Sequence, residues 1–343
     1  MAHLDEQTCT LTELPIPEGW LFAPTSFLTD RIVPAPERVW LPPAATGGGD
    51  VTLAIGEHRF AAPAPSGRLK RLTGRRPAEI RLQTKAPILD IRGGHPQNWA
   101  HFLNIHLALV ALTCRETGRT PDHLHLLLPE DTPPYVKAAA DLARLEVTYT
   151  DNTVVGEGIA LGFKDWNVIR GERCALLTDP AISPITQAIA RGRTPTDVTP
   201  KKVFVSRRTT RALTNEDAVA DHLAQRGFHK IYMEDFSPAE QIAIGHEATH
   251  VVAVHGAALA PFFYRDGSRP PLNLVELFPV GHLTNVYRAM VAGQSGRWSG
   301  VRGHIRPEHL KEIYRQDGKP YFAHSLDSFS VDLASIDLAL GSG

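Results

Sequence analysis

Apolar residues come in short runs separated by glycine, proline and polar clusters, and from Pro87 onward these runs alternate with helical patterns. Ile88-Leu89-Asp90-Ile91 reads as a strand, and Gly93-Gly94-His95-Pro96 as a turn whose proline suits helix entry. Asn98 to about Glu116 is apolar nearly all round, which predicts a buried helix. A strand from His123 to Leu128, a helix from Pro133 to Arg144 and a strand from Leu145 to Tyr149 complete a βαβαβ succession. Between Thr150 and Pro200 the pattern loosens, and a lobe junction is expected there.

A second alternation starts at Val203-Phe204-Val205. Thr214-Asn215-Glu216-Asp217 has capping-box spacing and opens a helix that ends near Gly227, followed by a strand from Phe228 to Met233. Ser237-Pro238-Ala239-Glu240 is a cleaner helix start, and that helix leads into a buried strand, His250 to Val254. The His255-Gly256 step ends this strand, and small residues permit a tight turn into a short helix, Ala257 to Tyr264. Leu274-Val275-Glu276-Leu277-Phe278 is the next buried strand, with one carboxylate among apolar neighbours.

Residues 1–85 are rich in proline and glycine, with short strands at Arg38–Leu41 and Val51–Ile55 and a turn at Gly47-Gly48-Gly49. They are expected to form a small, mostly β appendage. The fold class is α/β: one Rossmann-like lobe over 86–175 and a second over 176–300, facing a cleft. A tail over 301–343 packs back on them, with a strand and helix expected between Phe329 and Leu340.

Composition narrows the class. The chain has 343 residues, 43% of them hydrophobic, which suits two packed domains. A formal charge of -1 argues against a nucleic-acid binder that relies on a basic surface. No signal-like segment opens the chain, and the longest apolar stretch, Phe102 to Leu112, is short and interrupted by Asn104 and His106. Cys9, Cys114 and Cys174 lie far apart without a Cys-x-x-Cys pair, so reduced thiols and a cytoplasmic location are expected. Sixteen histidines invite a metal reading, but His123 and His125 alternate on a strand and His101 and His106 are five apart, and no metal site is expected.

A strand that ends in glycine and opens a helix offers free backbone N–H groups at a sheet edge, here those of Gly256, Ala257 and Ala258. Such an edge binds anions, phosphates above all. A tight turn alone would also explain the glycine.

The order and spacing of several segments resemble glycosyltransferase family 61. Val205-Ser206-Arg207-Arg208 with Arg211 and Leu213-Thr214-Asn215-Glu216 looks like the family's "I-S-R … R … L-N-E" block. Ser237 to Ile244 resembles "S-x-x-E-Q-I", Val252 to Ala257 resembles "V-G-x-H-G-A", and Leu274 to Pro279 resembles "V-x-E-L-F-P". In the first lobe, Asn98-Trp99-Ala100-His101-Phe102 is similar to "N-Y-Y-H-W". The sequence departs where Ala258-Leu259-Ala260-Pro261 replaces the family's second glycine and Thr-Asn pair. It departs again at Ile105, where many members carry an acid.

The resemblance implies a GT-B fold and an inverting transfer from a nucleotide-sugar donor to a glycan or lipid-linked glycan, as in bacterial capsule or lipopolysaccharide assembly. A lipid-linked acceptor would bring peripheral membrane contact. No Asp-x-Asp occurs, so no metal or other cofactor is expected, and cationic side chains would neutralise the departing diphosphate. Arg207 is the first candidate and Arg211 the second, since a guanidinium grips two phosphate oxygens. A solvated basic turn is the plainer reading of the same residues.

His255 would orient the loop or touch the donor. Glu276 would accept the ribose hydroxyls, or else be a satisfied core carboxylate. The acceptor's base would be His101, unless that residue is a core histidine; His95 and Asp90 are the alternatives. Three rivals remain on the same architecture: a nucleotide-sugar 2-epimerase, a polysaccharide pyruvyltransferase, and a nucleotide-binding module without turnover.

Overall fold

The computed structural model describes residues 5–24, 36–63, 77–196, 200–265, 267–307, 309 and 324–341. The chain forms two compact units, one of residues 1–13 and 47–194, the other of residues 14–46 and 195–343. Each is mixed α/β with its own sheet.

The first unit's sheet begins with β1 (Asp5–Leu11) and β6 (Gly49–Phe60), paired antiparallel. It continues through β11 (Thr153–Phe163), β8 (Ile88–Asp90), β9 (His125–Leu128) and β10 (Glu146–Tyr149), with the short β7 (Glu79–Arg81) also on β11. β8, β9 and β10 run parallel; Ile88, Leu89, Leu126, Leu127 and Leu128 of the first two are buried, whereas β10 lies at the sheet edge.

Helix α1 follows β8 and has three parts: an α-helical turn Trp99–His101, a π-helical turn Phe102–His106 and an α-helix Leu107–Thr117. Asn98 caps it, its side chain accepting from the N–H groups of Ala100 and His101. Gly118 ends it in the left-handed region at φ 64. Helices α2 (Pro134–Leu142), α3 (Arg173–Thr178) and α4 (Pro184–Ala190) complete the unit.

The second unit's sheet runs in the order β13 (His229–Ile231), β12 (Lys202–Val205), β14 (His250–Val254), β15 (Asn273–Phe278), β16 (Arg297–Arg302), β3 (Gly19–Pro24), β4 (Pro36–Leu41). All are parallel except β4. Taking β12 as first, the order of the five C-terminal strands is 2-1-3-4-5, the doubly wound pattern whose order reverses between β12 and β14.

One face buries Phe204, Val252, Val254, Val275, Leu277, Val301 and Phe22 against α5 (Glu216–Ala224) and α8 (Leu333–Gly341). The alternate positions, Glu276 among them, face the other way, the side carrying α6 (Pro238–Glu247) and α7 (Val286–Ala292).

The expected appendage is not a separate body. β1 and β6 extend the first unit's sheet, whereas β3 and β4 close one side of the second, and β2 (Leu14–Ile16) pairs with β5 (Ala44–Thr46). Strand pairing between distant segments decides this, and local composition carries no trace of it.

The expected junction at 150–200 hides β11, an 11-residue strand that joins β6 to β8 in the first sheet. At Thr214 no capping box forms; Asn215 is the cap, and its side chain instead bonds both backbone groups of Val331. At Ser237 the reciprocal box with Glu240 does form. The expected strand at Phe329 reduces to a single bridge with Leu213. Cys9, Cys114 and Cys174 are free thiols. No helix among the described residues is long and apolar enough to cross a membrane.

Arg92 pins the strand ends of the first unit. Its buried guanidinium takes both oxygens of Asp90, at 2.9 and 2.7 Å, and donates to the carbonyls of Ala61 (3.0 Å) and Asn152 (2.6 Å). Arg92→Leu should destabilise the unit by about 3 kcal/mol, because it strands Asp90 and the carbonyls together. Adding Asp90→Asn should recover part of that loss in a denaturant-unfolding cycle; strict additivity would refute the coupling.

Candidate functional site

Two strand ends meet in the second unit where the strand order reverses. Arg207 follows β12, and His255 ends β14. Arg207 Nη1 donates to the His255 carbonyl at 3.1 Å and Arg211 Nη1 to the same oxygen at 3.3 Å. Arg207 Nη2 also reaches Thr210 Oγ1 at 3.0 Å, and Arg211 Nε the Ser325 carbonyl at 2.8 Å.

Among the described residues neither guanidinium has a carboxylate ion pair. The neighbouring Arg208, by contrast, is exposed and grips Asp235 through two bonds of 2.5 and 2.6 Å. Burial holds both Arg207 and Arg211 below the ordinary guanidinium pKa, and Arg211 is held down further by Arg207. Two half-buried cations converging on one neutral carbonyl form a place where an anion would relieve both repulsion and desolvation.

Gly256 makes room for this convergence. A Cβ there would collide with Arg207 Nη1, so any larger residue displaces the guanidinium. The Gly256 carbonyl accepts from Tyr287 Oη at 2.9 Å. Ala257 and Ala258 open a short 3-10 turn, Ala257–Phe263, where the sequence predicts a helix.

The His255 ring lies stacked on Phe278, its centroid 5.3 Å away, and is flanked by His282 at 4.7 Å and Tyr287 at 5.6 Å. Its Nδ1 bonds Glu276 Oε1, and Trp298 Nε1 donates to Glu276 Oε2 at 2.8 Å. Glu276 is fully buried with both oxygens engaged. It therefore holds His255 from behind, and the ribose role expected of it has no open oxygen to use. Of the two readings, the satisfied core carboxylate is the one observed.

His282 and Tyr287 escaped the sequence reading because nothing local distinguishes them. His282 is held neutral, its pKa pushed down to about 4 by burial and by the charges of His255 and Arg211.

The first unit carries a second polar site. A cavity of about 1270 Å³ opens at the carboxyl ends of β8, β9 and β10, lined by Asp90, His95, Asp131, Asp151 and Trp166 among others. Asp90 is held by Arg92 and cannot act as a free base. His95 lies in the left-handed region at φ 61, a conformation that non-glycine residues adopt at some cost.

His101 is part-buried, and its Nδ1 lies 2.9 Å from the Gly94 carbonyl. A carbonyl only accepts, so the proton is on Nδ1 and the lone pair on Nε2, the form a general base needs. Gly94 (φ 70) has Trp166 packed against the position a Cβ would take.

One further group has ligand-like spacing: His309, His324 and Asp327. His309 Nδ1 accepts the Arg306 N–H at 3.0 Å, which puts the proton of the neutral ring on Nε2. His324 Nδ1 bonds Asp327 Oδ2 at 2.7 Å. A cation would have to break that first bond or turn the ring over, so the arrangement reads as a hydrogen-bonded cluster.

The family model of glycosyltransferase 61 matches residues 57–270. The chain belongs to glycosyltransferase family 61. It is thus a glycosyltransferase, with a donor and an acceptor as substrates. No curated protein matches it. The matched span contains the His95–His101 turn, Arg207, Arg211 and His255, whereas Glu276, His282 and Tyr287 lie beyond it.

Burial of neutral histidine gives a pH dependence. His106 in α1 is fully buried and pushed down to about 3, whereas in the unfolded chain it titrates near 6.5. Below that value the unfolded state binds the extra proton, so stability should fall as pH drops from about 6.5 towards 3, by at most about 1.4 kcal/mol per pH unit for this residue. Above 6.5 it contributes no slope. His106→Gln should flatten the pH 7 to pH 5 dependence of unfolding free energy; an unchanged slope would contradict the assignment.

Proposed function

We propose that this chain is an inverting glycosyltransferase of GT-B architecture that takes a nucleotide-sugar donor on its second unit. The observation that carries the donor assignment is the meeting of Arg207 and Arg211 at the His255 carbonyl, where the strand order reverses. A diphosphate bound there accepts from both guanidinia, and its developing charge on departure is stabilised without reorganisation. His282, half-buried beside them, faces the same charge. The two guanidinium groups supply the neutralisation that a cation would otherwise provide, so the transfer needs no metal.

The acceptor site is assigned to the first unit's cavity. Its wall carries Gln97, Glu130, Asn152 and the Asp90–Arg92 pair, hydrogen-bonding groups suited to the hydroxyl groups of a glycan. Trp166 offers an apolar face for a sugar ring. His101, with its lone pair on Nε2, takes the acceptor's proton as the hydroxyl attacks from the side opposite the diphosphate. Asp90 drops out of that role because Arg92 occupies it. A cytoplasmic enzyme of bacterial surface-polysaccharide assembly, touching the membrane through a lipid-linked acceptor, fits this reading.

Nucleoside diphosphate binding tests the donor half. Arg207→Ala should weaken affinity by tenfold or more by titration calorimetry, about the value of a charge-assisted hydrogen bond. Unchanged affinity would take Arg207 out of the site. Donor turned over without an acceptor into an epimerised sugar nucleotide would favour the 2-epimerase rival. Binding with no turnover on any donor and acceptor pair would favour the inactive module.

A further inference from the structure

The Gly94 carbonyl serves two histidines. His101 Nδ1 donates to it from 2.9 Å and His106 Nε2 from 3.4 Å. Residues five apart on a regular α-helix point about 140° away from each other. The π-helical turn Phe102–His106 removes that divergence: the N–H of Leu107 bonds the Phe102 carbonyl, five residues back, and the wider turn brings both rings to one carbonyl.

His106 is an expensive residue to keep here. It is 0% exposed, packed at 5.5 Å against the Trp166 ring, and its Nδ1 has no partner among the described residues. An aliphatic side chain would fill the space without an unpaired nitrogen. What the histidine supplies instead is its single ring hydrogen bond, to the same oxygen that holds His101. Because burial keeps it neutral, it retains the Nε2 proton at any working pH and adds no positive charge beside His101.

We propose that His106 is a positioning residue for His101: its Nε2–H anchors the Gly94 carbonyl, which in turn fixes His101 as the Nδ1–H tautomer with its basic lone pair on Nε2. The inference rests on the reading of His101 as the base. His106 itself touches no substrate.

Nitrogen-15 NMR of histidine-labelled protein reads the tautomer without any substrate. His101 should be in the Nδ1–H form in the wild-type protein and a mixture in His106→Leu. His106→Gln carries an amide N–H to about the same place and should restore the single form, whereas the shorter His106→Asn should not; this pair decides the matter if the leucine variant does not fold.

In transfer assays kcat should fall about tenfold in His106→Leu with both KM values nearly unchanged, and most of it should return in His106→Gln. A wild-type tautomer in the folded leucine or asparagine variant overturns the proposal. Turnover retained by His101→Ala would remove the base reading alone, and the tautomer result would stand apart from it.

Discussion

The buried carboxylate of Glu276 holds the second unit's site together. One oxygen takes His255 Nδ1 and the other takes Trp298 Nε1, so the charge is satisfied inside the sheet. That grip fixes the His255 ring against Phe278 at the end of β14. The His255 carbonyl, one bond along the chain, is then free to collect Arg207 and Arg211. A carboxylate placed at the front of the site would have neutralised the two guanidinia; placed behind His255, it leaves their charge facing outward. The negative charge anchors, and the two guanidinium groups are left without a carboxylate partner among the described residues.

Each unit commits one arginine to a carboxylate close to its site. In the first, Arg92 is spent on Asp90 and on strand-end carbonyls. In the second, Arg208 is spent on Asp235, leaving Arg207 and Arg211. Each unit therefore has one neutralised arginine close to its site, and in the second unit Arg207 and Arg211 are left without a carboxylate ion pair among the described residues. That pair of cations is the physical basis for proposing the charged donor at the second unit.

Much of this was legible in the sequence where local physics decides. The central strands β12 and β14 of the second unit are apolar after their first residue, and the Ser237 box is a spacing that the backbone itself demands. That Arg207, Arg211 and His255 belong together was legible only through the resemblance to glycosyltransferase family 61.

What stayed hidden depends on distant partners. β11 contains Gly156, Gly158 and Gly162, where close neighbours leave no room for a Cβ, so its strand character is diluted in sequence. β3 and β4 gain their place only from pairing with β16. Glu276 could be read either as ligand or as core, and only the positions of His255 and Trp298 resolve it. His106 sits next to Ile105, the position where the resemblance leads one to look for an acid. The π turn, which no periodicity announces, is what carries it to the Gly94 carbonyl.

The most direct measurement is the crystallographic position of a bound nucleoside diphosphate. The phosphates should lie against the guanidinium groups of Arg207 and Arg211, at the ends of β12 and β14. Phosphates found in the first unit's cavity, or away from both arginines, would contradict the assignment of the donor site.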